Sequence, residues 1–435
     1  MIQTRQVWVQ MATSQNTDNS PRQNNILTRL MVVVGTGYLF FILADPRHGL
    51  AKIAIQFLLK DHLHLGPAQI AGFTALTAFA WYCKPVAGLI TDNFLLFGSR
   101  RKAYLLAMAG LSAVSWLGLS FLPPSYSVLF WCLFVVNVVL MIGQTTLGGT
   151  LVETGQEFQA TGRMSSIRIG SENAGILLSG LLGGWLASHL LGKVFAINAA
   201  LLGLFVFLTW RFFLEKPAVR EGPPTNSLKS TLTQLKQLFR SKTMWIATGF
   251  WMLARFVPGF GTPLFFHQSE TLKFSSDFIG ILTFIGASAS VVGSIAYLWA
   301  CRKFPLNKLL YVGATVNVLT TICYFGYQSS GLAMVIQGIH GLGTALSFMA
   351  ILDLLARATP KRSEAFGYAL IFSLGNISVS VSDVLGSSLF EMFHKTFSSM
   401  VWLNTAAAVL VLLAIPFLPK ILVSHRDGQM TTADI

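Results

Sequence analysis

Runs of apolar residues recur along the chain at 30–59, 69–91, 103–122, 126–150, 166–190 and 194–213, and again at 244–266, 277–300, 307–327, 331–354, 366–391 and 398–419. An α-helix rises ~1.5 Å per residue, so about twenty residues cross the hydrocarbon of a bilayer, and these runs are long enough to do so. Lipid offers backbone amides no partner, which forces each spanning run to be helical. The pattern predicts an all-α integral membrane protein of about twelve transmembrane helices. The runs divide six and six around one long hydrophilic stretch, giving a tail at 1–29, a six-helix bundle at 30–213, a central loop at 214–243, a second bundle at 244–419 and a tail at 420–435. Within the loop, Leu228, Leu232, Leu235 and Phe239 recur at helical spacing beside Lys229, Lys236 and Arg240. That is the pattern of an amphipathic helix lying on an anionic membrane surface.

Composition agrees with a bilayer as solvent: of 435 residues 53% are hydrophobic and 11% charged, too few charges to cover a soluble protein of this size. The net charge of +14 raises the possibility of a nucleic-acid partner, but its distribution argues against one. Loops assigned to the far side hold Lys60, Lys193, Lys273 and Lys395, whereas the other loop Lys and Arg fall on the side of the termini. The positive-inside rule then places both termini in the cytoplasm of a multi-pass protein of a bacterial-type inner membrane or a plasma membrane. The first 29 residues lack the apolar core and cleavage site of a signal peptide. Cys83, Cys132, Cys301 and Cys323 fall in or beside apolar runs without metal-ligand spacing, so neither disulfides nor a metal site is expected.

Charges inside the spans carry the functional signal, since an unpaired charge at mid-membrane costs ~2.5 kcal/mol or much more and therefore pairs, faces a wet cavity or handles a ligand. Asp45, Pro46, Arg47 and His48 are set in the middle of the first span, and Arg255 lies in the seventh beside Pro258, Gly259, Gly261 and Pro263. Proline and glycine at that density should break the seventh helix, and unwound backbone at membrane depth is tolerated where it lines a cavity or is buried in protein. Lys52, Lys84, His340, Asp353 and Asp383 complete the inventory of polar groups within spans. Lys52 is either a ligand or a snorkelling side chain. Asp353 is placed to pair with Arg357 one turn on, and His340 reads as a hydrogen-bonded packing residue or a coupling group. Gly180 with Gly184, and Gly286 with Ser290, have the spacing that lets membrane helices pack closely.

The loop after the second span reads Gly88-Leu-Ile-Thr-Asp92, then Gly98-Ser-Arg100-Arg101-Lys102. It resembles the gating signature of the major facilitator superfamily, in which the acid and the basic cluster latch the cytoplasmic side; topogenic charge alone requires no acid there. In order along the chain, several stretches are similar to the folate/biopterin transporter family within that superfamily. They are Gly49 to Asp61 with Leu65 to Gln69, Trp81-Tyr-Cys-Lys84-Pro85-Val-Ala-Gly88, Thr262-Pro-Leu-Phe-Phe, Leu272 to Gly280, Ala356 to Gly367, and Ser373-Leu-Gly-Asn376-Ile-Ser. Two positions depart from the family. Gln144 and Gly148 stand where it carries an acidic pair, with Val152-Glu153 retained, and Asp45-Pro46 stands where it usually has Gln-Gly.

The resemblance implies two pseudo-repeats that rock about a midplane site, and a secondary transporter of a small organic solute such as a folate or pterin. Read from the residues, Arg47, Lys84 and Arg255 suit an anionic group, Arg being the bidentate partner of carboxylate. Trp81, Tyr82, Phe256 and Phe260 suit a flat ring. Asp45 is expected to stay ionised beside Arg47, and Asp383, with no cation adjacent in sequence, is the candidate to carry a coupling proton; Glu153 and His340 are the alternatives. No nucleotide-binding signature is present, so a gradient rather than ATP drives transport and no cofactor is expected. The expected partners are a small-molecule solute, protons and the lipid bilayer, with the chain acting as a monomer. Two rivals stand: the same fold with another cargo (amino acid, nucleoside, drug or siderophore), and a membrane-embedded transferase, which would need a catalytic constellation near one interface.

Overall fold

Helix follows the apolar runs, through single charges and glycines, and two of the runs are broken, around Pro46 and from Arg255 to Gly261. The computed structural model describes residues 25–99, 101–158, 161–213, 215, 240–359, 364–394 and 396–425. The amphipathic helix expected in the central loop, most of the N-terminal tail, Arg100 and the side chain of Asp92 lie outside the described residues. The first half comprises α1 (Asn25–Leu43), α2 (Lys52–Phe57), α3 (Pro67–Thr77), α4 (Lys84–Asn93), α5 (Lys102–Phe121), α6 (Tyr126–Glu157), α7 (Thr161–His189) and α8 (Val194–Phe212). The second comprises α9 (Lys242–Ala254), α10 (Thr262–Phe266), α11 (Ser276–Ala300), α12 (Leu306–Ile322), α13 (Ser330–Ala358), α14 (Glu364–Met392) and α15 (Phe397–Ala414).

Among the described residues, nine helices are long and apolar enough to cross a membrane, and α3 with the segment up to Thr91 forms a further span bent by 44°. The two remaining expected spans fall short for different reasons. The fifth, α7, is long enough but carries Arg163, Arg168 and Glu172; the seventh, α9 with α10, is interrupted between Ala254 and Thr262.

The halves repeat one another in detail. A short helix after each break ends in a π-turn, Leu58–His62 in one half and His267–Thr271 in the other. Leu63 N–H donates to the Leu58 carbonyl and Leu272 N–H to that of His267, both at 3.0 Å. His64 and Lys273 then take positive φ, 53° and 54°, and the next helices begin at Pro67 and Ser276. The pairs 58 and 267, 64 and 273, and 67 and 276 share one separation, as two pseudo-repeats require.

The halves meet through α3 against α14 and α7 against α11. Glycine allows the second contact: a Cβ on Gly184 would lie 2.9 Å from the Cα of Gly280, and one on Gly180 would lie 2.7 Å from the backbone N of Phe284. The other small-residue pair also packs helices, Ser290 Oγ donating to the Gly341 carbonyl of α13 at 2.9 Å. One buried apolar cluster runs through the first half and continues into Phe265, Phe266, Ile279, Leu282, Tyr327, Phe390 and Met400, at the end of the bundle away from the termini. A second, around Met244, Tyr297, Leu310, Leu354 and Leu355, belongs to the near end of the second half alone. The halves therefore share a buried core at the far end.

Candidate functional site

Both broken spans open onto one central cavity of about 610 Å³. The first break holds itself together. Asp45, 1% exposed, accepts from the backbone N–H of Arg47 at 2.8 Å, from its Nε at 3.0 Å and from its Nη2 at 2.7 Å. Its backbone closes locally too, with Gly49 N–H bonding the Asp45 carbonyl at 2.7 Å and Leu50 N–H that of Leu43 at 2.8 Å. The Arg47 guanidinium lies 3.8 Å from the centre of the Trp81 ring, a cation–π contact worth ~2 kcal/mol when desolvated. Trp81 in turn donates Nε1–H to Asn137 Oδ1 at 2.8 Å.

The second break borrows its partners from α14 and α15. Val257 N–H donates to Ser382 Oγ at 3.0 Å, Gly259 N–H to Asn404 Oδ1 at 3.0 Å, and Thr262 N–H to Asp383 Oδ1 at 2.7 Å. Thr262 Oγ1 donates to the other Asp383 oxygen at 2.7 Å, so this carboxylate caps the start of α10. A Cβ at Gly261 would overlap that carboxylate, which is why glycine precedes the cap.

The cavity wall carries Arg47, Lys52, Arg255 and Asp383 among its charged groups. Asp45 neutralises Arg47 from behind. Arg255 has no carboxylate partner among the described residues, and its Nε is buried without an acceptor. Beside it Phe260, Tyr324 and His340 form an aromatic corner, with ring centres 4.3 Å apart for Phe260 and Tyr324 and 5.2 Å for Phe260 and His340. His340 contacts Thr320 and Thr344 through its two ring nitrogens, both at 3.3 Å, and Tyr324 donates to Gln337 Oε1 at 3.0 Å. A side chamber of about 150 Å³ adjoins the cavity at Arg255, Val257, Phe260, His340 and Thr344.

Three contacts join the halves at the end away from the termini. Phe57 and Phe265, on the two short helices, meet edge to face at 5.2 Å. Glu391 at the end of α14 accepts from Ala68 N–H at 3.0 Å, and Ser188 at the end of α7 donates to Asp277 at 2.7 Å. Each of these polar contacts joins one half to the other.

Residues 47–433 match the profile of the BT1 family, most of the chain. The chain belongs to the BT1 family. It is 26% identical over 394 residues to a protein of Synechocystis sp. named folate-biopterin transporter, covering 85% of this chain and 78% of that one. A protein of Plasmodium falciparum named folate transporter 1 is 27% identical over 365 residues, covering 78% and 69%. Among solved structures, a nucleoside transporter superposes with a TM-score of 0.69 at 14% identity over 90% of this chain and 99% of that one. A D-xylose-proton symporter gives 0.68 at 18% identity, covering 90% and 98%. The fold is that of the major facilitator transporters, and the chain is a multi-pass membrane transporter of a small-molecule solute.

Within this BT1-family protein the expected site residues divide. Arg47, Tyr82, Arg255, His340 and Asp383 line the cavity, and Lys52 joins them. Trp81 and Lys84 do not line it: Trp81 is 3% exposed beneath Arg47, and Lys84 Nζ sits 5.6 Å from the same ring. Phe256 faces the side chamber. Glu153 is remote from the cavity, paired with Arg101 at 2.8 Å. In the expected latch, Glu215 accepts from the backbone N–H of Arg101 at 2.7 Å and of Lys102 at 3.0 Å, and also holds Ser99. Lys102 Nζ donates to the Trp210 carbonyl at 3.0 Å, and Gly88 packs near Thr145 of α6. The acids described at the latch are thus Glu153 and Glu215. Asp353 pairs with Arg357 as the one-turn spacing predicts. Thr262, Ser382, Asn404, Glu215 and Glu391 escaped sequence reading because each acts on a segment distant in the chain.

Proposed function

We propose that this transporter moves an anionic, ring-bearing organic solute of the folate or pterin class by alternating access, coupled to protons. One observation carries the choice of an anion: Arg255 faces the cavity without a carboxylate partner among the described residues, whereas Arg47 is already neutralised by Asp45. Leaving such a cation at membrane depth costs several kcal/mol, so an entering carboxylate gains what the empty site lacks. Phe260 supplies an apolar face beside it for a flat ring. The names of the Synechocystis and Plasmodium relatives support the same solute class.

The bias of loop Lys and Arg supports placing both termini in the cytoplasm. In that orientation the conformation is the one closed to the outside, and rocking of the units 30–213 and 244–419 opens it. Asp383 is the proposed proton carrier. A protonated carboxyl loses acceptor capacity, which weakens its double hold on Thr262 and loosens the start of α10. The chain works as a monomer in this reading.

Purified protein in proteoliposomes, assayed with labelled folic acid, pterins, nucleosides and amino acids, should accumulate the first two classes when the outside is acidified. Accumulation of nucleosides or amino acids alone would contradict the solute class. Asp383→Asn should abolish pH-driven accumulation yet retain exchange at equal concentrations, because exchange needs no net proton movement; unchanged accumulation would remove Asp383 from the coupling role.

A further inference from the structure

The side chamber beside Arg255 has a chemistry of its own. Trp251, Arg255 and Asn404 line it, and among the described residues the Arg255 Nε is buried without an acceptor, while the unpartnered Trp251 Nε1 and Asn404 Nδ2 lie against Gly375 and Gly259. Neither Asp nor Glu is among its lining residues. A buried donor left without an acceptor costs ~1–3 kcal/mol, so the Arg255 corner of the chamber is incomplete until an acceptor arrives. The chamber's volume of about 150 Å³ equals that of roughly five waters in the liquid. The chamber has room for a short acidic arm, and the main cavity of about 610 Å³ has room for the ring.

Arg255 and Phe260 border both spaces, so a solute lying across the neck would place its ring against Phe260 and its charge at the guanidinium. We propose that the side chamber is a second subsite that receives a carboxylate-bearing arm of the solute while the ring stays in the main cavity. The inference rests on the organic-anion reading above and adds a specificity: solutes with an acidic arm bind more tightly than those whose carboxylate sits directly on the ring. Ala407, 8% exposed, lies on the chamber wall, where a larger side chain would take up the arm's space.

The test measures dissociation constants for folic acid, which carries a glutamate arm, and pterin-6-carboxylic acid, which does not, on purified protein in nanodiscs. Ala407→Leu should weaken folic acid at least tenfold and leave pterin-6-carboxylic acid within twofold. Retained binding of the armless probe also proves that the variant is folded. If Ala407→Leu is not recovered, Asn317→Asp places a negative charge on the same wall at almost unchanged volume and should give the same split. Equal weakening of both probes, or no change in either, overturns the subsite. Unchanged folic acid affinity together with a chloride requirement for binding assigns the chamber to a halide ion and also overturns it. A parent protein that binds neither probe removes the organic-anion reading itself, and the subsite with it.

Discussion

The two broken spans meet the same physical demand in opposite ways. Backbone unwound at membrane depth must find partners inside the protein. The first break is self-sufficient: Asp45 binds the backbone and guanidinium of Arg47, and the neighbouring amides close on Leu43 and Asp45. The second depends on Ser382, Asp383 and Asn404, supplied by two other helices. The difference reaches the charges. The first break has its counter-ion built in, and the second presents Arg255 to the cavity. One break is therefore suited to be a fixed wall and the other to sense both the solute and the packing of its neighbours.

The largest effect expected from this contrast is on stability. Asp45→Asn removes the counter-charge of the half-buried Arg47 guanidinium, a loss of up to about 3–5 kcal/mol, and should lower the melting temperature of the detergent-purified protein sharply. The double variant Asp45→Asn/Arg47→Gln removes both charges and should recover most of that loss. A double variant as unstable as the single one would show that Arg47 has needs beyond its pairing.

At the second break, Asn404→Leu leaves Gly259 N–H without its acceptor, a penalty of about 1–3 kcal/mol. The same melting measurement should register it, with a loss of transport beyond the loss of protein. Transport per folded molecule equal to the parent's would mean that the second break does not rely on α15.

The smallest effect concerns the far-end contacts. Glu391 is exposed, so Glu391→Gln should cost under about 1 kcal/mol, enough to shift the balance between the two access states without unfolding the protein. A cysteine placed at Gln56 on the cavity wall, in a background without the native cysteines, should then react faster with an impermeant thiol reagent applied from outside. An unchanged rate would remove the Glu391–Ala68 contact from the gate.

The spans were legible because lipid leaves helix as the one solution for a long apolar run. The second break was legible because Pro258, Gly259, Gly261 and Pro263 stand where helix should continue, whereas the first span read as one run, 30–59, with charges in its middle, and its break was not. The pairings within one turn, Asp45 with Arg47 and Asp353 with Arg357, followed from spacing alone. What could not be read were contacts between helices: Asp383 shows itself in sequence as an isolated intramembrane acid, and only the packing of α14 against α10 makes it the cap of Thr262. Trp81 misled for the same reason, since its position beside Lys84 and Pro85 suggests a cavity wall, and packing puts Arg47 between it and the cavity. Glu215 was hidden by distance, lying more than a hundred residues from the loop it holds.

Whether Arg255 receives the solute's anionic group is decided most directly by comparing folic acid affinity in nanodiscs for Arg255→Lys and Arg47→Lys, each checked for folding by its melt. A point charge without the planar fork replaces a bidentate partner poorly. Arg255→Lys should therefore weaken folic acid about tenfold or more, and Arg47→Lys, whose charge is already spent on Asp45, should weaken it distinctly less. Parent-like affinity in Arg255→Lys, or a larger loss in Arg47→Lys, would contradict the assignment of the anion to the second break.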